Sequence, residues 1–366
     1  MLKSTPRERF ISYVRSNGRA RPVVSPFLPH PGVIRSTLAY LNLPFSDDDV
    51  ENEIRLAAEL DYEPMFMTEM TALIFPWKSD ASLSSENEEV SVIPTKFGDW
   101  IRRFPRGETS WNDSAVCPVR TEKDHDYLVS VCENVDAQES HIRTYFRKWR
   151  QRVGDQGVIV LGHPHPGWLG YQISPEAIFY HWMDYQEKYL RSMEAIKEAA
   201  LFVMSIAMEE GLDFMSDSSY GLEMTSPRLF AEMDLPHIQS FSKWTHDHGG
   251  LFWYHNCGYT SGLIRDGSFN ALGADVIETI APPPEGDNDL RESRSNIDRK
   301  ICTKGNLNLT LLRDAMPERI IAQTKRIIEA VDGYPHIYST ADAVLSGTPP
   351  ENFVAFVSTA REYSSE

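Results

Sequence analysis

The residues in this sequence best placed to do chemistry are His255 and Cys257, one residue apart and followed by Gly258. In a β-strand, side chains two positions apart project from the same face, so an imidazole and a thiol would point together. With metal bonds of roughly 2.0 Å to nitrogen and 2.3 Å to sulfur, such a pair is half of a zinc site. A third donor must come from elsewhere, and Asp342, just past the last apolar run of the chain, is the candidate. Three protein ligands leave a fourth coordination position for substrate, as a catalytic metal site requires. Taken alone, His-x-Cys is a short pattern that arises by chance, and a buried cysteine often serves only as a small hydrophobe.

Other reactive side chains recur just after apolar runs. In Gly162-His-Pro-His-Pro-Gly-Trp168, prolines stiffen a loop that carries His163 and His165. Those imidazoles are candidates to donate to a substrate oxygen, shuttle a proton or add metal ligands. Asp217 is a candidate to orient a ligating imidazole or act as general base, with helix capping as the alternative. Glu278 is a further catalytic candidate, and Lys304-Gly-Asn306 ends another run. Aromatic residues crowd the same segments, including Tyr171 and Tyr259; Trp168, Tyr220, Trp253 and Tyr254 are the candidates to stack against a flat substrate. For any single one of them, packing in the core is the commoner role.

The elements that must position these residues are legible as short runs rich in Val, Ile, Phe and Tyr, alternating with longer amphipathic stretches. Eight runs stand out: Arg21–Phe27, Glu63–Met67, Gly157–Leu161, Asp213–Asp217, Leu251–Cys257, Asp275–Ile280, Ile301–Gly305 and Pro335–Ser339. Helical patterns lie between them. Ser174–Ala207 is long enough for one long helix or two, and Ser226-Pro-Arg-Leu opens a helix with an N-cap and a proline at its first position. Met316-Pro-Glu-Arg opens another, with Ile320, Ile321, Ile327 and Ile328 along its apolar face. This alternation predicts an α/β chain folded as a (β/α)8 TIM barrel, with an open parallel sheet of eight strands as runner-up. In a barrel, catalytic groups sit just past the carboxyl ends of the strands, where these candidates fall. The stretch Thr68–Gln156 is too long for one crossover. It reads as an insertion over 68–150, between strands two and three, followed by a helix over His141–Val153. No repeat or low-complexity linker divides the chain, so residues 1–366 read as one decorated domain.

Composition narrows the partners. Hydrophobic content of 41% and charged content of 24% over 366 residues are ordinary for a globular protein. No apolar run approaches the ~20 residues of a membrane span, and the charged first residues lack the apolar stretch of a secretory signal. Four widely spaced cysteines, Cys117, Cys132, Cys257 and Cys302, suit a reducing compartment rather than a disulfide framework, so the cytoplasm is the expected location. A formal charge of -17 opposes binding to nucleic acid or anionic membranes and leaves a small-molecule substrate as the expected partner.

Several motifs in order give the sequence a likeness. The set comprises Thr5-Pro-Arg-Glu-Arg-Phe10, Arg21-Pro-Val-Val24, Thr225-Ser-Pro-Arg-Leu-Phe230 with Leu235-Pro236, His255-Asn-Cys-Gly258, Gly273-Ala-Asp275, Asp289-Leu290, Gly305-Asn306 and Thr348-Pro-Pro-Glu-Asn352. It resembles the uroporphyrinogen decarboxylase superfamily, which includes decarboxylases and corrinoid-dependent methyltransferases. The resemblance runs almost end to end and is patchy between Thr68 and Gln156. His255-Asn-Cys-Gly258 matches the His-x-Cys-Gly of the methyltransferase branch, whose His and Cys are zinc ligands. That branch takes its third ligand from a cysteine six residues before the Thr-Pro of the terminal motif; here that position is Asp342. Aspartate also ligates zinc and leaves a harder, more electrophilic ion; the departure equally admits a site that is lost or repurposed. The decarboxylases carry an arginine-rich segment after the first strand. This chain has Ser25-Pro-Phe-Leu-Pro-His-Pro-Gly32 there, with Arg35 the nearest arginine, which disfavours a polyanionic tetrapyrrole substrate. Asp217 resembles the aspartate that the superfamily places after its fourth strand.

The resemblance therefore implies a zinc-dependent methyltransferase. It would move a methyl group between a small methylated substrate, such as a methoxylated aromatic, and a corrinoid protein. The corrinoid would arrive on a separate partner, because the chain has no Asp-x-His-x-x-Gly signature; Asp247-His248-Gly249 lacks its spacing. A homodimer is the assembly it implies. Two alternatives stand beside this reading: a metal-free decarboxylase of the same superfamily, and a barrel that binds a small molecule or docks a corrinoid protein without catalysis.

Overall fold

The computed structural model describes residues 4–106 and 117–363. The chain forms two compact units, one of Met1–Met67, Lys148–Val160 and Leu212–Glu366, the other of Thr68–Arg147 and Leu161–Gly211. Its strands are β1 (Met65–Met67), β2 (Lys78–Ser79), β3 (Glu88–Thr95), β4 (Gly98–Pro105), β5 (Val158–Val160), β6 (Phe214–Tyr220), β7 (Leu251–Cys257), β8 (Val276–Glu278), β9 (Cys302–Leu307) and β10 (His336–Thr340). Among the described residues, no helix is long and apolar enough to cross a membrane.

In the first unit, β1, β5, β6, β7, β8, β9 and β10 pair in that order, all parallel, as a curled seven-stranded sheet. Each strand lies beside its successor in the sequence, which is the outcome expected of repeated β–crossover–β units. Seven of the eight expected runs are strands. The eighth, Arg21–Phe27, makes only a single parallel bridge, Val24 with Tyr338. Pro22 and Pro26 flank it and have no N–H to give to a ladder. The segment still bonds on both sides: Ser25 N donates to the Tyr338 carbonyl at 2.9 Å, and Glu63 N, just ahead of β1, donates to the Val24 carbonyl at 2.9 Å.

One face of this sheet is apolar near the amino ends of the strands. Met65, Val158, Val160, Phe214, Leu251, Trp253, Val276, Cys302 and Ile337 form one buried cluster with Val23 and with Phe10, Tyr13 and Val14 of the helix Pro6–Arg15. That helix starts where its sequence says it should. Thr5 and Glu8 make a reciprocal capping box, and Pro6 takes the first turn. Phe10 packs its ring 5.8 Å from Phe214 and 6.2 Å from Trp253.

Buried ion pairs tie the chain ends to the sheet. The Glu63 carboxylate is buried and takes Arg9 Nε at 2.7 Å and Arg361 Nη2 at 2.6 Å, while Arg361 also donates to the carbonyls of Pro22 and Asp61. Asp213 does the same for Arg7 and Arg150 and accepts Ile159 N at 2.8 Å.

The second unit holds the antiparallel sheet β2-β3-β4, in which Thr95 faces Gly98 across a two-residue turn. Sequence periodicity predicted no strands here, because the Ser/Asn/Glu-rich stretch 79–89 masks the alternation that follows it. The pattern 174–207 resolves into two helices, Pro175–Asp184 and Gln186–Glu209, broken at Tyr185. The helix expected over His141–Val153 spans Glu139–Val153.

Inside this unit, His125 bridges two helices. Its Nδ1 lies 2.9 Å from Ser192 Oγ, and its Nε2 lies 3.0 Å from His181 Nδ1. Burial, reinforced by His181, pushes His125 down to about 4, and burial also lowers His181.

Two outcomes follow for stability. Glu63→Gln strips the charge facing two arginines that are largely out of water and should cost about 3–5 kcal/mol, read by urea denaturation. The buried histidines stay neutral while the unfolded chain protonates, so their share of the stability should fall as pH drops from ~6.5 toward ~4. Thermal melts across that range check the fall, and His125→Gln should flatten it.

Candidate metal centre

Strand β7 reads Leu-Phe-Trp-Tyr-His-Asn-Cys, and the pleat sorts it into two faces. Leu251, Trp253, His255 and Cys257 share the face of the apolar cluster, with the two chemical residues at the carboxyl end. His255 Nε2 lies 2.9 Å from Cys257 Sγ. Asp342 follows β10, and its Oδ2 lies 3.8 Å from the same sulfur. One ligand atom from each of the three residues falls within a mutual 4.8 Å. Asp342 is braced by its own turn, where Oδ1 accepts Ala343 N and the main-chain carbonyl accepts Thr340 Oγ1, both at 2.6 Å.

Register supplies the next layer. His255 pairs with Glu278 of β8, and Glu278 with Lys304 of β9, so three adjacent strands set these side chains in one row. Glu278 Oε2 lies 3.5 Å from His255 Nδ1 and accepts Trp253 Nε1 at 2.7 Å; Oε1 accepts Lys304 Nζ at 2.7 Å. Both members of the Glu278–Lys304 pair are buried. Burial alone would raise the Glu278 carboxyl, but the charge of Lys304 and the contact with His255 hold it well below the usual carboxylate range. Burial alone would lower His255; Cys257, Glu278 and Asp342 outweigh it and raise the imidazole well above its ordinary value. The site therefore gathers negative charge around one imidazole, and a cation is what that arrangement favours.

The loops that frame the site leave little freedom. Gly258 sits at φ +81, and a Cβ there would collide with the Glu223 carboxylate, which itself accepts Tyr259 N at 2.7 Å. Asp287, beyond β8, accepts the amides of Thr260 and Ser261 and the Ser261 hydroxyl. The loops after β6, β7 and β8 are thus bonded to one another.

The remaining candidates divide. Tyr220 is in register with Cys257 and half-buried on the same face. Glu278 reaches His255, as described. Trp253 is fully buried, with its ring against Phe10 and Phe214 and its N–H on Glu278, so it packs the core and braces the carboxylate. Asp217 and Tyr254 pair across β6 and β7 on the opposite face of the sheet from His255. There the Tyr254 hydroxyl bonds Ser219 and Asn256, and Asp217 lies close enough to Asp234 to help burial raise that carboxyl. The pleat turns both side chains toward the helix Leu235–Asp247, away from the face that carries His255 and Cys257. His163, His165 and Trp168 belong to the second unit. There the two imidazoles are 5.7 Å apart, the His165 ring lies 4.3 Å from that of Tyr171 at a 60° tilt, and Trp168 is buried. Sequence reasoning noted Lys304 without its partner; a lysine inside the run Ile301–Leu307 signals a buried counter-charge.

Comparison with known proteins adds the following. The profile described as uroporphyrinogen decarboxylase (URO-D) matches residues 146–363. No curated protein sequence matches the chain. Among solved structures, a methyltransferase from Methanosarcina mazei is similar over 99% of both chains, with a TM-score of 0.65 at 14% identity. A putative vitamin-B12-independent methionine synthase from Listeria monocytogenes matches over 93% of this chain and 96% of its own, with a TM-score of 0.42 at 11% identity. At these identities the first likeness speaks to fold.

The face assignment has a direct check. Asp217→Asn and Tyr254→Phe should leave the zinc content of the purified protein at the wild-type level, measured by elemental analysis, because neither side chain faces the three donors.

Proposed function

The chain belongs to the uroporphyrinogen decarboxylase family, and from that premise we propose that it is a zinc-dependent methyltransferase with His255, Cys257 and Asp342 as its metal ligands. The observation that carries this reading is the convergence of three donor atoms, two of them on residues 85 apart in the chain, within 4.8 Å. Zinc bonds of ~2.0 Å to nitrogen and oxygen and ~2.3 Å to sulfur place tetrahedral donors about 3.3–3.5 Å apart. The Cys257–Asp342 separation of 3.8 Å and the His255–Cys257 separation of 2.9 Å lie on either side of that, so small side-chain rotations would bring the donors onto one ion. The donors are the right kind: an imidazole whose Nε2 faces the other ligands, a thiol and a carboxylate.

Bound there, zinc would act as a Lewis acid, either holding a thiol substrate as its thiolate at neutral pH or drawing electron density from a methyl ether. A carboxylate in place of a second thiolate keeps the formal charge and donates less electron density, which favours the ether role. The chain's own residues do the rest. Glu278 orients His255 through Nδ1, so that Nε2 is the metal donor. Three ligands leave one position for the substrate oxygen, and Tyr220 lies beside Cys257 as an apolar wall for a methoxylated aromatic. The methyl acceptor would be a corrinoid on a separate protein.

We read the first unit as a (β/α)8 barrel in which the Val24 segment is the remaining strand, supported by its bonds to Tyr338 and Glu63. Residues 68–150 then form an insertion between strands two and three. In this architecture, the carboxyl ends of the strands are where catalytic groups gather. The fold shared with a protein described as a methyltransferase supports the class.

Metal analysis of the wild type beside Cys257→Ser and Asp342→Ala tests the reading. It expects about one zinc per chain, lost in both variants. Methyl transfer from methoxylated aromatics to free cob(I)alamin, followed by its absorbance, should then be lost with the metal. A wild type that takes up no zinc even when zinc is supplied would leave a decarboxylase-like enzyme or a binding barrel.

A further inference from the structure

Lys304 is wholly out of solvent, and an ammonium in that setting needs a reason to be there. Its Nζ donates to Glu278 Oε1 at 2.7 Å and lies 5.7 Å from the Trp253 ring and 5.8 Å from the Phe27 ring, within cation–π range. Among the described residues, no hydrogen bond or ion pair joins Nζ to His255, Cys257 or Asp342. Whatever Lys304 does at the metal centre, it does through Glu278.

The geometry says how. A carboxylate free to rotate offers an imidazole either oxygen, or neither. Here Lys304 holds Oε1 and Trp253 holds Oε2, so the carboxylate plane is fixed at both ends. That leaves Oε2 facing His255 Nδ1 at 3.5 Å and sends Nε2 toward Cys257. The indole is a neutral donor and cannot balance the charge of a carboxylate that is 1% exposed; Lys304 is the only lysine or arginine among the described residues to touch it. We propose that Lys304 is a positioning residue for His255: by anchoring Glu278 it selects the imidazole nitrogen that faces Cys257 and Asp342. This deepens the metal reading and rests on it for its functional meaning.

The test uses full-length Lys304→Met, Lys304→Arg, Glu278→Gln and the double variant Lys304→Met/Glu278→Gln. Zinc affinity is measured by competition with a chromophoric chelator, beside thermal unfolding. Lys304→Met and Glu278→Gln should each weaken zinc binding by about 10- to 100-fold. The double variant should bind no more weakly than Glu278→Gln, and Lys304→Arg should recover most of the loss. Wild-type zinc affinity in Lys304→Met, or a double-variant loss equal to the product of the single losses, overturns the proposal. If Lys304→Met does not fold, the double variant, which removes both buried charges, is compared with Glu278→Gln alone; equality supports the proposal and further loss overturns it. If the wild type binds no zinc, the metal reading fails by itself, and the positioning role is read from the metal-free protein. Long-range proton–nitrogen spectra of histidine-labelled protein, with His255 assigned by its loss in His255→Asn, report which ring nitrogen carries hydrogen. Recorded at a pH high enough for the ring to be neutral, a single Nδ1–H form in the wild type that becomes a mixture without Lys304 supports the role, and an unchanged form overturns it.

Discussion

Three charged or chargeable side chains lie in one row across three parallel strands, and the site depends on that row staying in register. Taking Lys304 and Glu278 out of water is costly, and their attraction offsets the cost only when geometry is good and the remaining donors and acceptors are used. Both conditions hold: a 2.7 Å contact between them, and the Trp253 indole on the other carboxylate oxygen. Because the pair spans β8 and β9, and His255 adds β7, any slip between these strands would strand a buried charge.

The same register explains the two faces of β6 and β7. Side chains alternate with a period of two, so a single strand supplies donors of the His255–Cys257–Asp342 cluster and the packing surface behind it in turn. Trp253 belongs to both the apolar cluster and the polar row, and it joins them: its ring is wedged against Phe10 and Phe214 while its N–H holds Glu278. The core thus fixes the carboxylate, whose Oε2 lies 3.5 Å from the His255 imidazole. Asp217 and Tyr254 are neighbours of these residues in sequence and strand, yet they serve the opposite surface.

The two ends of the strands are given over to different work. Near the amino ends, Glu63 and Asp213 gather arginines from the terminal helices and from the helix Glu139–Val153 and tie them to the sheet. Toward the carboxyl ends, the loops are bonded to one another through Glu223 and Asp287, and they hold acids beside the donor residues. A barrel-like architecture separates stability from chemistry in this way.

What the sequence determined by itself is what local physics controls. Strand positions, the helix starts at Pro227 and Pro317, and the shared face of His255 and Cys257 all follow from periodicity, capping and the pleat, each settled within a few residues. The hairpin of β3 and β4 was hidden by the polar stretch before it, and Arg21–Phe27 looked like a full strand although its prolines leave it one bridge. Tertiary structure decided the rest. Which face of β6 and β7 meets the helices, which oxygen of Glu278 meets Lys304, and how closely Asp342 approaches Cys257 depend on pairing between segments 26 and 85 residues apart. Those separations lie far beyond the reach of any local pattern. Only pairing of the strands into one curled sheet, which spends the conformational freedom of the intervening chain, brings such residues within bonding distance.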